Sequence, residues 1–331
     1  MSKKYQTLAD LVANYSQIVI IQAENPDADS LGSALALEGF LTNLGKKVSL
    51  YCPVVIPKYI RYLAGWDRVE IDFDYKAQAA IIVDTASDVL LSKLLDDPII
   101  KNWLLKNPSV TIDHHFDTTP SLTFKSDYII EPAVATSEIL YDIASELGWT
   151  IDPTTATNLM ASIQSDTLGF TTPNVVSRTF TIAADLTNLG ASPSQIEESR
   201  HELGKKSPEI LDYKADLIKR IEYHLDGKLA LVQIPFAEIK KYSDKYNPSV
   251  LVLDEMRSVE GVEVAIAIKT YPDGKLTGKV RTNKPVANMI AGYFGGGGHS
   301  YAAGFRTYET YDKIEPELLT ITSQVLSDET L

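Results

Sequence analysis

The chain has 331 residues and a formal net charge of −13, with ordinary apolar and charged fractions of 44% and 23%. So acidic a chain is poorly suited to a long duplex or an anionic membrane surface, because phosphate backbones are held by basic surface. The single cysteine, Cys52, permits no intrachain disulfide and points to a reducing cytoplasm; Met1-Ser2-Lys3-Lys4 has no apolar core of a secretory signal, and no apolar run is long enough to span a bilayer.

Leu8, Leu11, Val12 and Tyr15 recur at helical spacing, which predicts a short amphipathic helix over residues 7–16. Ile18–Gln22 is a β-branched run and reads as a buried strand. Asp29 or Ser30 then caps a helix from Leu31 to about Leu44, ended by Gly45. Lys47–Tyr51, Ala79–Val83 and Val110–Ile112 read as further strands. Strands alternating with helices of this length predict an α/β fold with a mostly parallel sheet. Helical periodicity takes over at Ala135–Leu147, Pro153–Leu168 and Val176–Leu189. Gly190-Ala191-Ser192-Pro193-Ser194 breaks it, which predicts a first domain over 1–190, a linker over 191–207 and a smaller α/β domain over 208–331. In the latter, Lys228–Ile234, Val262–Lys269 and Lys275–Arg281 read as strands, with a hairpin turn at Tyr271-Pro272-Asp273-Gly274.

Four acid-bearing segments carry the chemistry. Asn25-Pro26-Asp27-Ala28-Asp29-Ser30, Val83-Asp84, Ile112-Asp113-His114-His115 and Gln164-Ser165-Asp166 each place an aspartate at or just past the end of an apolar stretch. In an open α/β sheet such ends converge on one crevice. Carboxylates gathered there repel each other unless a cation joins them, which makes a divalent-metal site the simplest reading. A helix cap at Asp27 or Asp29, a turn acid at Asp84 and an exposed helix acid at Asp166 are the plain alternatives. In an extended loop, Asp27 and Asp29 would address neighbouring ligand positions, with backbone N–H groups at Gly32 and Ser33 facing an anion. Asp113-His114-His115 is rarer, because the chain has only five histidines. In the second domain Gly295-Gly296-Gly297-Gly298-His299 lets the backbone approach an anion, and Arg281 and Asn283 end a strand just upstream.

Taken in this order, the segments resemble the DHH phosphoesterase superfamily, and the glycine-His segment resembles its DHH-associated C-terminal domain. Length and pairing are most similar to the nanoRNase type, the bifunctional oligoribonucleases and pAp phosphatases. RecJ-type exonucleases share both domains but are larger, and family II pyrophosphatases carry a different second domain. The resemblance implies a DHH domain and a smaller α/β domain across a cleft. It implies a first ion, usually manganese, on Asp29, Asp84, His114 and Asp166, and a second on Asp27 and Asp84. His115 would face the scissile phosphate as a catalytic residue, supported by Asp113. Arg281, Asn283, Gly296, Gly297, Gly298 and His299 would bind substrate. Ala135-Thr136-Ser137-Glu138 resembles a further family segment. The implied substrates are short single-stranded oligonucleotides or mononucleotides such as pApA and pAp; a homodimer is compatible with the resemblance. One departure stands out: the first motif's metal-binding histidine is here Ala23. It leaves the second ion short of a ligand and keeps open an alternative, a nucleotide-binding or cyclic-dinucleotide-binding protein with weakened or lost catalysis.

Overall fold

In the computed structural model, which describes residues 4–116 and 118–327, the chain divides into two units, Met1–Lys205 and Lys206–Leu331. The first runs α1 (Gln6–Asn14), β1 (Gln17–Ile21), α2 (Ala28–Asn43), β2 (Lys47–Tyr51), β3 (Val69–Glu70), β4 (Ala79–Val83), α3 (Ser92–Leu95), α4 (Pro98–Lys106), β5 (Ser109–Asp113) and β6 (Asp127–Ile130). Helices α5 (Thr136–Leu147), α6 (Pro153–Asp166), α7 (Ser177–Asn188) and α8 (Pro193–Leu203) complete it.

Its six strands lie in the order β3-β2-β1-β4-β5-β6, and every pair is parallel. Both faces are covered, which is why β1 and β4 read as unbroken apolar runs. Ile18 and Ile20 of β1 join a core with α1, α2, α5 and α6, while Val19 and Ile21 pack with Leu91, Leu94, Ile100 and Leu104. The strand order reverses between β1 and β4, so a crevice opens at their C-terminal ends.

Helix α2 begins earlier than the sequence suggested. Asp27 is its N-cap, accepting a bond from the Ser30 N–H at 3.0 Å. Asp29 therefore stands in the first turn rather than in an extended loop. Gly32 does not face an anion: a Cβ there would lie 2.8 Å from the Asn158 carbonyl oxygen and 3.1 Å from Ser162 Cβ, so its bareness lets α2 and α6 touch. The expected linker is also revised. Ser192 caps α8 with Pro193 at its first position, and Ile196 sinks into the first unit's core.

The second unit contains α9 (Pro208–Lys219), β7 (Glu222–His224), β8 (Leu229–Ile234), α10 (Phe236–Tyr242), α11 (Pro248–Arg257), β9 (Val264–Thr270) and β10 (Leu276–Thr282). It ends with α12 (Ala287–Tyr293), β11 (Gly297–His299), β12 (Ala302–Thr307) and α13 (Tyr311–Ser327). The strand order is β11-β12-β10-β9-β8-β7, antiparallel except for β8–β9. Alternation along β9 divides its residues between two cores: Val264, Ile266 and Ile268 on one face, Ala265 and Ala267 on the other.

Candidate metal centre

The sheet delivers the chemistry-bearing residues from three adjacent strands. The segment after β1 carries Asp27 and Asp29, Asp84 follows β4, and Asp113, His114 and His115 end β5. Asp166 arrives as the last residue of α6. His114 is the hub. Its Nε2 lies 3.7 Å from Asp29 Oδ2, 3.5 Å from Asp84 Oδ1 and 3.5 Å from Asp166 Oδ2. Its Nδ1 donates to the Ala133 carbonyl oxygen at 3.3 Å. A carbonyl only accepts, so the proton sits on Nδ1 and the Nε2 lone pair faces the carboxylates.

Each carboxylate is set by its backbone or by a small polar neighbour. Asp29 is fully buried. It accepts from the Thr136 N–H at 2.8 Å, from Ser33 Oγ at 3.1 Å and from Ser162 Oγ. Asp84 has φ of 63°, a left-handed turn straight off the strand, and accepts from Thr136 Oγ1 at 3.1 Å. Thr136 therefore clamps two carboxylates at once. Sequence reasoning named Thr136 only within a family segment and Ser33 only for its backbone N–H, and it missed the hydroxyls of both, Ser162 and the Ala133 carbonyl as partners of these groups. A readable signal existed, because Ser33, Thr136 and Ser162 are small polar residues at fully buried helix positions.

The carboxylates are electrostatically crowded. Burial pushes Asp84 well above the ordinary carboxylate range, and the charges of Asp29, Asp27, Asp166 and Asp113 add to it. Asp166 is raised by burial, then by Asp29 and Asp27. Asp27 is solvent-exposed at the rim, yet the loss of water around its carboxyl and the charge of Asp29 raise it too. Asp113 and His115 form a pair apart: His115 Nδ1 lies 2.6 Å from Asp113 Oδ1, and the His115 N–H donates to the same oxygen at 3.1 Å. Burial pulls the His115 imidazole down, but the bond and charge of Asp113 outweigh it and the net shift is upward.

The arrangement fits a divalent cation. Two ligands sharing an ion through bonds of about 2.1 Å can stand no more than about 4.2 Å apart, and all three His114 separations lie inside that limit. Asp29, His114 and Asp166 form one group with ligand atoms mutually within 4.8 Å, and Asp84, His114 and His115 form another. Oxygen ligands with one imidazole suit manganese, iron, cobalt or zinc. Ala23 is 5% exposed and offers no ligand, and its carbonyl accepts from Cys52 Sγ at 3.3 Å. Glu24 does not replace the missing histidine, because its carboxylate takes the Ser92 hydroxyl and the Lys93 N–H, each at 2.8 Å.

The second unit treats its expected substrate residues differently. Asn283 is occupied: its amide donates to the carbonyls of Arg257 and Val262 at 2.9 and 2.8 Å and accepts from Arg257 Nε at 3.2 Å. It braces α11 against β10 instead of reaching outward. Arg281 donates to the Val280 carbonyl at 3.0 Å, and burial lowers its guanidinium. Gly296 and Gly298 are required by packing, since a Cβ would meet the Gly304 carbonyl at 2.1 Å and the Ala302 carbonyl at 2.6 Å. Gly297 has open space beside it. The His299 side chain lies outside the described residues, although its backbone pairs with Ala302.

The chain is similar to known proteins. Residues 17–163 match the model of the DHH family, N-terminal domain. A probable bifunctional oligoribonuclease and PAP phosphatase NrnA from Streptococcus mutans is 25% identical over 92% of this chain and 94% of its own. A probable manganese-dependent inorganic pyrophosphatase from Enterococcus faecalis is 25% identical over 70% of this chain and 74% of its own. The crystal structure of an exopolyphosphatase-related protein from Bacteroides fragilis superimposes with a TM-score of 0.82 at 21% identity, covering 98% of this chain and 95% of that one, which shows a shared fold.

Proposed function

Because residues 17–163 match the model of the DHH family, N-terminal domain, we propose that this chain is a hydrolase that uses divalent metal to cleave phosphoester bonds in short single-stranded oligonucleotides or in nucleotides of the pAp type. The observation that carries the reading is His114 Nε2 facing three carboxylates at 3.5 to 3.7 Å. Asp29, Asp84, His114 and Asp166 would hold the first ion, and Asp27 with Asp84 a second, weaker one. When bound, the ions supply positive charge at phosphoryl oxygens and make water a stronger acid; manganese is the choice suggested by the name of the pyrophosphatase relative. His115, oriented through Nδ1 by Asp113, presents Nε2 as a donor to a phosphate oxygen. The bond and charge of Asp113 outweigh burial and raise that ring's affinity for its proton, which favours the donor form. By the family resemblance, Arg281, Gly297 and His299 would bind substrate. A cytoplasmic setting is in keeping with the lone cysteine.

The test is a hydrolysis panel of pAp, pApA, short RNA, short DNA and pyrophosphate, with manganese, magnesium or cobalt. Cleavage of a nucleotide substrate that chelator abolishes is the expected result. Cleavage of pyrophosphate alone, or of nothing, overturns the proposal.

A further inference from the structure

Between β2 and β3 the chain makes an irregular excursion pegged into the core by Ile56, Ile60 and Leu63, each buried. One turn of 3-10 helix, Lys58–Ile60, lies within it. Tyr59 points away from the pegs and is 60% exposed. Its ring is nevertheless fixed at the far end, because the hydroxyl donates to the Pro26 carbonyl oxygen at 3.1 Å. Pro26 is the residue before Asp27, so the ring stands at the lip of the carboxylate crevice. The hydroxyl spends its bond on the backbone. Among the described residues, Tyr59 stacks on no other aromatic ring.

Tyr62 and Arg200 continue the same edge. Tyr62 is half-buried; burial pushes its phenol up, Arg200 pulls it down, and the charges of Glu197, Asp27 and Asp166 add to the rise. Arg200 comes from α8, which packs against the 3-10 turn, and holds Glu197 through Nε at 2.8 Å and Nη2 at 2.6 Å. A rigid, exposed ring beside a phosphate-handling cluster matches what a nucleobase needs, since bases stack on aromatic side chains with little regard to sequence. A pyrophosphate has no group that could use it.

We propose that Tyr59 is a stacking platform for the nucleobase next to the phosphate in the carboxylate crevice. This makes it a specificity residue that selects nucleotide substrates over base-free phosphates. The proposal rests on the nucleotide reading of the site given above.

The experiment compares AMP with ribose 5-phosphate, measured by calorimetric binding to the full chain in manganese. Both carry the same phosphate and sugar, and only AMP can stack. Wild type should prefer AMP by roughly 5- to 150-fold, the range typical of one base–aromatic stack. Tyr59→Ala should bring that ratio close to one, and Tyr59→Trp should restore it. Tyr59→Phe keeps the ring and loses the Pro26 bond, so it should retain most of the preference and serve if the alanine variant fails to fold. A ratio that survives in Tyr59→Ala, or a wild type with no preference, overturns the platform. If the ratio collapses as expected while the hydrolysis panel is silent, the platform stands and the catalytic reading falls. The reverse outcome separates them the other way.

Discussion

Replacing Thr136 with valine removes one hydroxyl and keeps the side chain's branched shape. In the structure that hydroxyl donates to Asp84 Oδ1 at 3.1 Å, while the backbone N–H of the same residue donates to Asp29 Oδ2 at 2.8 Å and survives the change. A hydrogen bond to a charged group contributes about 1.5–3 kcal/mol. Since about 1.4 kcal/mol is a factor of ten, losing it should weaken metal binding roughly 10- to 100-fold. Loss of a partner that orients a metal ligand typically costs a similar 10- to 100-fold. The two routes agree. The assay is manganese titration by calorimetry against a competing chelator, with Thr136→Ser as the control that restores the hydroxyl. Thermal melting in chelator should show both variants folded. An affinity for manganese within threefold of wild type in Thr136→Val would refute the assignment of Asp84 as a metal-holding group oriented by Thr136.

Three further outcomes are expected. Asp166→Asn should raise the melting temperature of chelator-treated protein at pH 7 while abolishing the upward shift that manganese gives. The sign follows from burial, Asp29 and Asp27 raising the folded-state pKa of Asp166, so its ionisation opposes folding at neutral pH; a melting temperature that falls in chelator would contradict this. Ala23→His should add a ligand for the second ion, read as a second manganese in equilibrium dialysis and faster turnover at low manganese, at a packing cost of about 1–3 kcal/mol for filling a buried alanine site. Two ions without faster turnover would mean that this ligand does not limit activity. Lys269 is pushed down to about 8 by burial and by Lys279. Unfolded lysine titrates near 10.4, so above pH 8 the unfolded chain holds more protons and stability should rise toward pH 10. Lys269→Met should reduce that rise in urea midpoints; an identical rise in the variant would show the lysine is not its source.

Where sequence reasoning matched the structure, the physics was local. Lys47–Tyr51 and Ala79–Val83 are strands at the positions expected; Ala79–Val83 is buried at every residue, and a strand buried on both faces must be apolar throughout. The Asp-His-His triplet advertised itself by rarity. The misses have physical causes as well. Ser192 and Pro193 looked like linker residues, yet a serine followed by proline is also how a helix starts, and α8 buries one side chain only, Ile196, too few to show a period. Asp27 and Asp29 are both competent caps, and only the fold shows which one caps and which one sinks. Strands β3 and β6 lie at the edges of the sheet and span two and four residues, too short for alternation to register. The three hydrogen bonds of Asn283 go to Arg257 and Val262, two residues distant in sequence, which spacing cannot reveal.

The contact at Gly32 bears on which ions the centre accepts. Because the two helices pack closely there, Asp29 and Asp166 would form the stiffer side of a metal site. The opposite jaw is softer: Asp84 rides a left-handed turn and His114 a loop beyond β5. Calcium bonds oxygen at about 2.3–2.6 Å, against about 2.0–2.1 Å for magnesium. A larger cation must therefore be accommodated by displacing Asp84 and His114 alone. That displacement would stretch the Thr136 and Ala133 hydrogen bonds that hold them. Were these residues to hold an ion, size discrimination would reside in the compliance of two loops, with the helix pair as the reference against which the ion is measured.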